Sequence, residues 1–156
     1  MTCSSAQTQP IIAVVDDDRQ ITQALGTWLQ MLGMAGSFHA SAESLCEALV
    51  YGVDKLQLHT ENDSRTGYEL AGAIIDLDLP GLDGIQLIQK LHQWQASLRL
   101  VLITAISQEK RRAYGELPPG VVCLEKPFDL DTLEQACFGH RLAANSGAVM
   151  QPLNPS

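Results

Sequence analysis

The feature that most constrains the fold of this chain is a recurring short apolar run that stops at a polar residue. The clearest case is Ala-Ile-Ile-Asp at residues 73–76, which the turn-forming pair Pro80 and Gly81 soon follows. Asp83 can cap the helix that follows, with Gln86 three residues further on completing a capping-box-like pair. Three or four consecutive apolar residues are typical of a strand buried on both faces, as in a parallel sheet covered by helices. Asp76 would then lie at the carboxyl end of its strand, the edge where open α/β sheets bind ligands.

Similar apolar segments recur along the chain and alternate with helical patterns. We predict strands over residues 11–15, 35–39, 73–76, 100–103 and 121–124. Between the first two, Ile21, Leu25, Trp28 and Leu29 recur at the spacing of an amphipathic helix. This alternation predicts an α/β fold with a five-stranded parallel sheet, doubly wound in (βα)5 order through right-handed crossovers.

The length of 156 residues is that of one domain of ordinary size. We expect residues 1–10 to be a disordered lead, residues 11–143 to form the domain, and residues 144–156 to be a flexible tail. Residues 53–71 contain a polar, charged stretch without a clear period. We interpret them as an extended exposed loop or insertion.

The charge balance argues against several classes of partner. The chain has 18 acidic and 10 basic residues, a net charge of −8, and no concentrated basic run. We therefore expect no direct binding to nucleic acid or to an anionic membrane. No apolar run approaches the length of a membrane span. The four cysteines are widely spaced, which predicts reduced thiols in a cytoplasmic protein.

Polar side chains at the ends of the predicted strands would share one edge of the sheet. They are Asp16, Asp17, Asp76, Thr104 and Lys126. Two carboxylates about 4 Å apart repel each other by roughly 4 kcal/mol at an effective dielectric near 20, so three of them require a compensating cation. A small set of oxygen ligands favours Mg²⁺. Asp76 is then a candidate nucleophile towards phosphorus, with Lys126 and Thr104 contacting the phosphoryl oxygens.

Four segments, in the same order, resemble the receiver domains of two-component response regulators. They are Val-Val-Asp-Asp-Asp at 14–18, Ile-Asp-Leu-Asp-Leu-Pro-Gly-Leu-Asp-Gly at 75–84, Ile-Thr-Ala at 103–105 and Glu-Lys-Pro-Phe at 125–128. Each segment alone has a structural explanation, such as a helix cap or a solvated turn. Their conjunction carries the resemblance, which covers roughly residues 11–142 and implies the flavodoxin-like receiver fold.

The resemblance implies a role for each of these residues. It implies a Mg²⁺ site formed by the side chains of Asp16, Asp17 and Asp76 and the backbone carbonyl of Asp78. It also implies that Asp76 is the phospho-acceptor, Thr104 the switch hydroxyl and Lys126 the phosphate-sensing cation. The bond between Lys126 and Pro127 is expected to be cis.

The same resemblance implies the partners. The phosphoryl group would come from a sensor histidine kinase or a phosphotransfer protein. The face formed by the fourth helix, fifth strand and fifth helix would rearrange, and it is a candidate homodimer interface. The protein would be a signalling switch rather than an enzyme, limited to Mg²⁺-dependent self-phosphorylation and dephosphorylation. Residues 143–156 are too few for a DNA-binding output domain, which predicts a stand-alone receiver or the front of a longer regulator.

Two departures from the family pattern leave alternatives open. Cys123 stands where the family usually has Tyr or Phe, so a receiver-like interaction module that is not phosphorylated is one alternative. Residues 53–71 are longer than the usual connection before the third strand. A phosphatase resembling the haloacid dehalogenase-like superfamily is another alternative, because Asp76 and Asp78 form an Asp-x-Asp pair. In that superfamily, however, the metal-binding acids follow the lysine, and Thr or Val stands where this chain has Pro80.

Overall fold

The computed structural model describes residues 9–51, 56–58 and 68–139. Within these ranges the helices and strands follow one another along the chain. They are β1 (Gln9–Val15), α1 (Arg19–Met31), β2 (Ala35–His39), α2 (Ala42–Ala48), β3 (Leu49–Tyr51), β4 (Leu56–Leu58), β5 (Tyr68–Asp76), α3 (Gly84–Trp94), β6 (Arg99–Thr104), α4 (Gln108–Arg111), a 3₁₀ turn (Arg112–Tyr114), β7 (Val122–Glu125) and α5 (Leu130–Phe138). None of these helices has the length and apolar character needed to cross a membrane.

Five of the strands form a parallel sheet in the order β2-β1-β5-β6-β7. This order confirms the predicted doubly wound, flavodoxin-like α/β class. From β1 the chain first moves outwards to β2 and later returns to place β5 on the other side of β1. The order therefore reverses between β1 and β5, and the carboxyl ends of these two strands flank the crevice of the sheet.

Helices cover both faces of the sheet. The side chains of β1 point alternately to the two faces and pack into a different apolar core on each. Ala13 and Val15 pack with the buried residues of α2 and α3. Ile12 and Val14 pack on the opposite face, with the buried residues of α1 and α5. Both faces of the central strands are apolar, and polar groups are confined to the strand ends.

The structure differs from the sequence prediction over residues 53–71. Strand β4 and the start of β5 lie in this region, so the exposed-loop interpretation is wrong for residues 56–58 and 68–71. Strand β4 pairs antiparallel with β3 and, through Leu58, with Tyr68 of β5. Leu56 and Leu58 are 3% and 6% exposed. Their burial drives the pairing, but a three-residue strand is too short to show a period. The rest of the predicted loop lies outside the described residues.

Smaller differences concern the ends of elements. Leu49, which directly follows α2, has the extended dihedrals φ −88° and ψ 140° and begins β3. Strand β1 begins at Gln9, so Gln9 and Pro10 belong to the sheet rather than to a disordered lead. The predicted lead and tail otherwise lie outside the described residues, and the domain boundaries at 11 and 143 stay predictions.

Candidate functional site

Backbone hydrogen bonds continue past the last strand pairs and hold the strand ends together. The N–H of Asp16 donates to the carbonyl of His39 at 3.0 Å. The N–H of Leu77 donates to the carbonyl of Ile103 at 2.9 Å, and the N–H of Lys126 donates to the carbonyl of Thr104 at 2.7 Å. The residues that directly follow β1, β5 and β7 are thus fixed by the sheet and not by loop geometry alone.

Residues 77–83, which we call the acceptor loop, follow Asp76 and lead into α3. The base of this loop is tight, because the N–H of Gly84 donates to the carbonyl of Leu77 at 2.9 Å. A Cβ on Gly84 would lie 2.3 Å from the carbonyl oxygen of Asp76, which only glycine avoids. The loop ends in a capping box, in which the Asp83 carboxylate accepts from Gln86 N–H and the Gln86 side chain accepts from Asp83 N–H. This confirms the predicted cap.

Three carboxylates converge at the crevice. One oxygen from each of Asp16, Asp17 and Asp76 lies within 4.8 Å of the others. Asp16 and Asp76 are 3% and 5% exposed, whereas Asp17 is exposed. The Lys126 Nζ lies 3.3 Å from Asp76 Oδ1 and 3.8 Å from Asp16 Oδ2. One ammonium group therefore faces two buried carboxylates, with a third carboxylate beside them.

The pKa values show that this cluster is short of positive charge. Burial, followed by the charge of Asp16, raises the pKa of Asp76 to about 6, although Lys126 opposes the rise. Burial also raises the pKa of Asp16, against the hydrogen bond from Asp18 N–H and the charge of Lys126. Asp16 and Asp76 are thus harder to ionise than usual, and a further cation would favour their ionised forms.

The donor set of the cluster fits a hard divalent cation. Asp16 Oδ2 is buried and has no hydrogen-bond partner among the described residues. Its contact with Lys126 at 3.8 Å is longer than a hydrogen bond. The other oxygen of Asp16 accepts from Asp18 N–H at 2.9 Å. A buried carboxylate oxygen without a donor, beside two further carboxylates, is an arrangement that suits Mg²⁺.

Thr104 and Asp78 lie near this cluster in the fold. Thr104 belongs to a strand, whereas Asp78 belongs to the acceptor loop. Thr104 is 3% exposed and ends β6 one residue after Ile103, which pairs with Asp76. Its Oγ1 accepts from Ile106 N–H at 3.1 Å, so its own hydroxyl proton is free to donate elsewhere. Asp78 is an exposed residue of the acceptor loop. The role of its carbonyl as a metal ligand stays a prediction.

Strand β7 places Cys123 where the family resemblance expects an aromatic residue. Cys123 pairs with Leu102 of β6 and is half-buried against the core on the α2 and α3 face. Burial raises the pKa of its thiol, so the group is neutral at neutral pH. The described structure therefore has a small neutral side chain at this position. The peptide bond between Lys126 and Pro127 is cis, as expected.

Sequence reasoning missed Glu43 as a neighbour of the site. Its Oε2 accepts from Leu82 N–H at 3.0 Å, which connects the first turn of α2 to the acceptor loop. The other partner in this bond is a backbone amide, so no side-chain pattern in the sequence could have revealed the contact.

The strand order and the carboxylate cluster define the class to which the chain belongs. The family model for the response regulator receiver domain matches residues 12–138, and the chain belongs to this family. The predicted two-component function is thereby confirmed, and the comparisons give no support to either alternative.

Among curated relatives, the chain is 28% identical to the C4-dicarboxylate transport transcriptional regulatory protein DctD of Pseudomonas aeruginosa, over 82% of this chain and 24% of that protein. It is 26% identical to the transcriptional regulatory protein FixJ of Bradyrhizobium diazoefficiens, over 91% of this chain and 63% of that protein. The chain thus spans about a quarter of the length of DctD and under two thirds of FixJ.

Solved structures support the same assignment. The signal receiver domain of an HD domain-containing protein from Pseudomonas fluorescens Pf-5 is 26% identical, with a TM-score of 0.60 over 82% of this chain and 90% of that one. A CheY-like receiver domain protein from Methanospirillum hungatei is 21% identical, with a TM-score of 0.58 over 83% of this chain and 90% of that one, and shows the shared fold.

Proposed function

We propose that Asp76 is the residue of this receiver domain that accepts a phosphoryl group, delivered from the phosphohistidine of a sensor histidine kinase or a phosphotransfer protein. The observation that carries this proposal is the placement of Asp76, whose buried carboxylate lies 3.3 Å from the Lys126 ammonium at the carboxyl edge of the sheet. Asp76 is the last residue of β5 and makes a shorter contact with Lys126 than Asp16 does.

Each neighbouring group has a distinct part in the transfer. A carboxylate oxygen of Asp76 forms the new bond to phosphorus, while the bond from phosphorus to the donor histidine nitrogen breaks. Lys126 and the Thr104 hydroxyl bind phosphoryl oxygens and stabilise their negative charge. The side chains of Asp16, Asp17 and Asp76 and the backbone carbonyl of Asp78 would hold Mg²⁺, which would supply the positive charge that the cluster lacks.

The transfer is stoichiometric in this proposal, so the domain acts as a switch and its chemistry is limited to self-phosphorylation and dephosphorylation. The readout face consists of α4 with the 3₁₀ turn that follows it, β7 and α5. Tyr114 of the turn and Leu130 of α5 are 43% and 48% exposed. We assign partner binding and homodimerisation to this face. A cytoplasmic location agrees with Cys46, Cys123 and Cys137, which are all free thiols. The net charge of −8 supports protein partners over nucleic acid.

The test is phosphorylation of the purified chain by acetyl phosphate, followed by intact mass. We expect one phosphoryl group per chain with Mg²⁺, none without Mg²⁺, and none in Asp76→Asn. Glu47→Gln is the matched control, because it removes one negative charge from an exposed side chain outside the carboxylate cluster. Equal phosphorylation of Asp76→Asn would overturn the proposal. Continuous release of phosphate from a small phosphoester would favour a phosphatase instead.

A further inference from the structure

The acceptor loop is held at its base by its own backbone. The Leu77 N–H donates to the Ile103 carbonyl at 2.9 Å, and the Leu77 carbonyl accepts from the N–H groups of Leu79 and Gly84 at 3.1 and 2.9 Å. These bonds fix where the loop leaves β5 and where it enters α3. They leave the tip of the loop, at Gly81 and Leu82, to be positioned by something else.

Glu43 holds that tip. Its Oε2 accepts from the Leu82 N–H at 3.0 Å, across a sequence separation of 39 residues. In the part of the chain that the structure describes, no other side chain from outside the loop and α3 bonds to the loop's backbone. Glu43 itself lies in the first turn of α2, which the Ser41 side chain caps. The support is therefore a helix and not another loop.

The fit between Glu43 and Gly81 is an independent sign of this contact. Gly81 has a φ of +75°, a conformation that side chains rarely adopt. A Cβ there would lie 2.7 Å from Glu43 Oε2 and 3.1 Å from Oε1. The carboxylate thus packs against the bare face of the glycine. The hydrogen bond from Leu82 also lowers the pKa of Glu43, so the ionised form makes the contact at neutral pH.

We propose that Glu43 is a positioning residue for the Mg²⁺ site: it holds the acceptor loop in the conformation in which the Asp78 carbonyl can serve as a ligand. The inference rests on the proposed function, because it matters only if the carboxylate cluster and Asp78 bind Mg²⁺. A backbone ligand has no side chain with which to adjust its own position. The geometry of such a ligand is set by whatever fixes the loop, and here the backbone bonds of Leu77 hold the base of the loop while Glu43 holds its tip.

The experiment compares three variants of the full chain in two measurements. The first is Mg²⁺ titration monitored by calorimetry, and the second is hydrogen exchange at the Leu82 amide. We expect Glu43→Ala to weaken Mg²⁺ binding by roughly three- to tenfold, less than the ten- to hundredfold typical of a partner bonded directly to a metal-ligating side chain. Its Leu82 amide should exchange faster. Glu43→Gln keeps an oxygen acceptor and should restore both properties to near wild type.

Glu47→Ala is the matched control, since Glu47 is exposed on the same helix and its removal takes away the same charge. If Glu43→Ala and Glu47→Ala weaken Mg²⁺ binding equally, charge alone explains the result and the inference is wrong. It is also wrong if the Leu82 amide exchanges faster in Glu43→Ala while Mg²⁺ affinity is unchanged.

Failure of the proposed function would look different. If the wild-type chain bound no Mg²⁺ at all, the metal site itself would be refuted, whatever the variants did. Circular dichroism of each variant confirms that the measured chains are folded. If Glu43→Ala does not fold, Glu43→Asp keeps the test decisive: it retains the charge, but its shorter side chain should not reach the Leu82 N–H, so Leu82 exchange should become faster and Mg²⁺ binding weaker.

Discussion

The two ends of β5 differ in how well their polar groups are satisfied. At the amino end, Leu58 is buried and the backbone of β4 pairs with Tyr68. The N–H of Leu56 also donates to Gln95 Oε1 at 2.7 Å. At the carboxyl end, Asp76 is buried beside a second buried carboxylate, and one lysine contacts both.

This difference separates stability from function along a single strand. The amino end buries apolar area and satisfies its hydrogen bonds, which stabilises the fold. At the carboxyl end, burial and then the charge of Asp16 raise the pKa of Asp76 to about 6, which costs free energy in the absence of a cation. We infer that this unfavourable cluster serves Mg²⁺ and phosphoryl binding. The antiparallel pair of β3 and β4, which we call the hairpin, offsets part of the free energy that the cluster costs.

The largest effect should come from the amino end, with Leu58→Ala. Leu58 is 6% exposed, and truncating a buried leucine costs about 2–4 kcal/mol. Urea denaturation measures the loss, and Gln57→Ala on the same strand is the control, because its side chain is only half-buried. Mg²⁺ affinity of the folded protein should not change. A change in that affinity would show that the two ends of β5 are coupled and would break the comparison.

Asp76→Asn should act in the opposite direction at the carboxyl end. Without Mg²⁺ at pH 8, we expect the free energy of unfolding to rise by up to about 3 kcal/mol, because each unit between the ordinary pKa and the raised one corresponds to about 1.4 kcal/mol. Asp78→Asn, an exposed change, should stay within about 0.5 kcal/mol of wild type. Saturating Mg²⁺ should reduce the difference in unfolding free energy between Asp76→Asn and the wild type, because it stabilises the wild type. A less stable Asp76→Asn variant would contradict the charge argument.

The difference in unfolding free energy between Asp76→Asn and the wild type should depend on pH. The folded pKa of Asp76 is about 6 against an ordinary value of 3.8, so the folded state takes up the proton first as the pH falls. Without Mg²⁺, the wild type therefore gains stability relative to Asp76→Asn between pH 6 and about 4, and the gap closes. Burial lowers the pKa of His39, so this residue also contributes to the pH dependence of stability. The contribution is common to both proteins and cancels when they are compared at each pH. A gap that is constant from pH 4 to 8 would show that Asp76 does not titrate in this range.

The carboxyl end of β5 could be predicted from the sequence because its signals are local. An apolar run that ends in Asp76 indicates a strand end, and parallel strands place Asp16 and Lys126 at the same edge. The amino end could not be predicted in this way. Strand β6 begins its pairing with β5 only at Gly72, so the earlier residues of β5 have a free edge that β4 covers. That edge is a property of the assembled sheet.

The same reasoning explains why the polar supports were missed. Gln95 and Glu43 both bond to backbone N–H groups 39 residues away along the chain. Backbone amides are present at almost every position, so a sequence gives no sign of which one a distant side chain will contact. Asp83 was predicted as a cap because its partner, Gln86, lies only three residues further on.

The smallest effect should come from Gln95→Ala, which removes the hydrogen bond to Leu56 but leaves the burial of Leu58 intact. A hydrogen bond of this kind contributes about 1 kcal/mol, and the Leu56 amide should lose protection from hydrogen exchange. Gln93→Ala is the control, because Gln93 is exposed on the same helix. If Gln95→Ala lowers the free energy of unfolding as much as Leu58→Ala does, the pair of β3 and β4 depends on its hydrogen bond to Gln95, at the end of α3, rather than on its buried leucines. Burial would then not be the main difference between the two ends of β5.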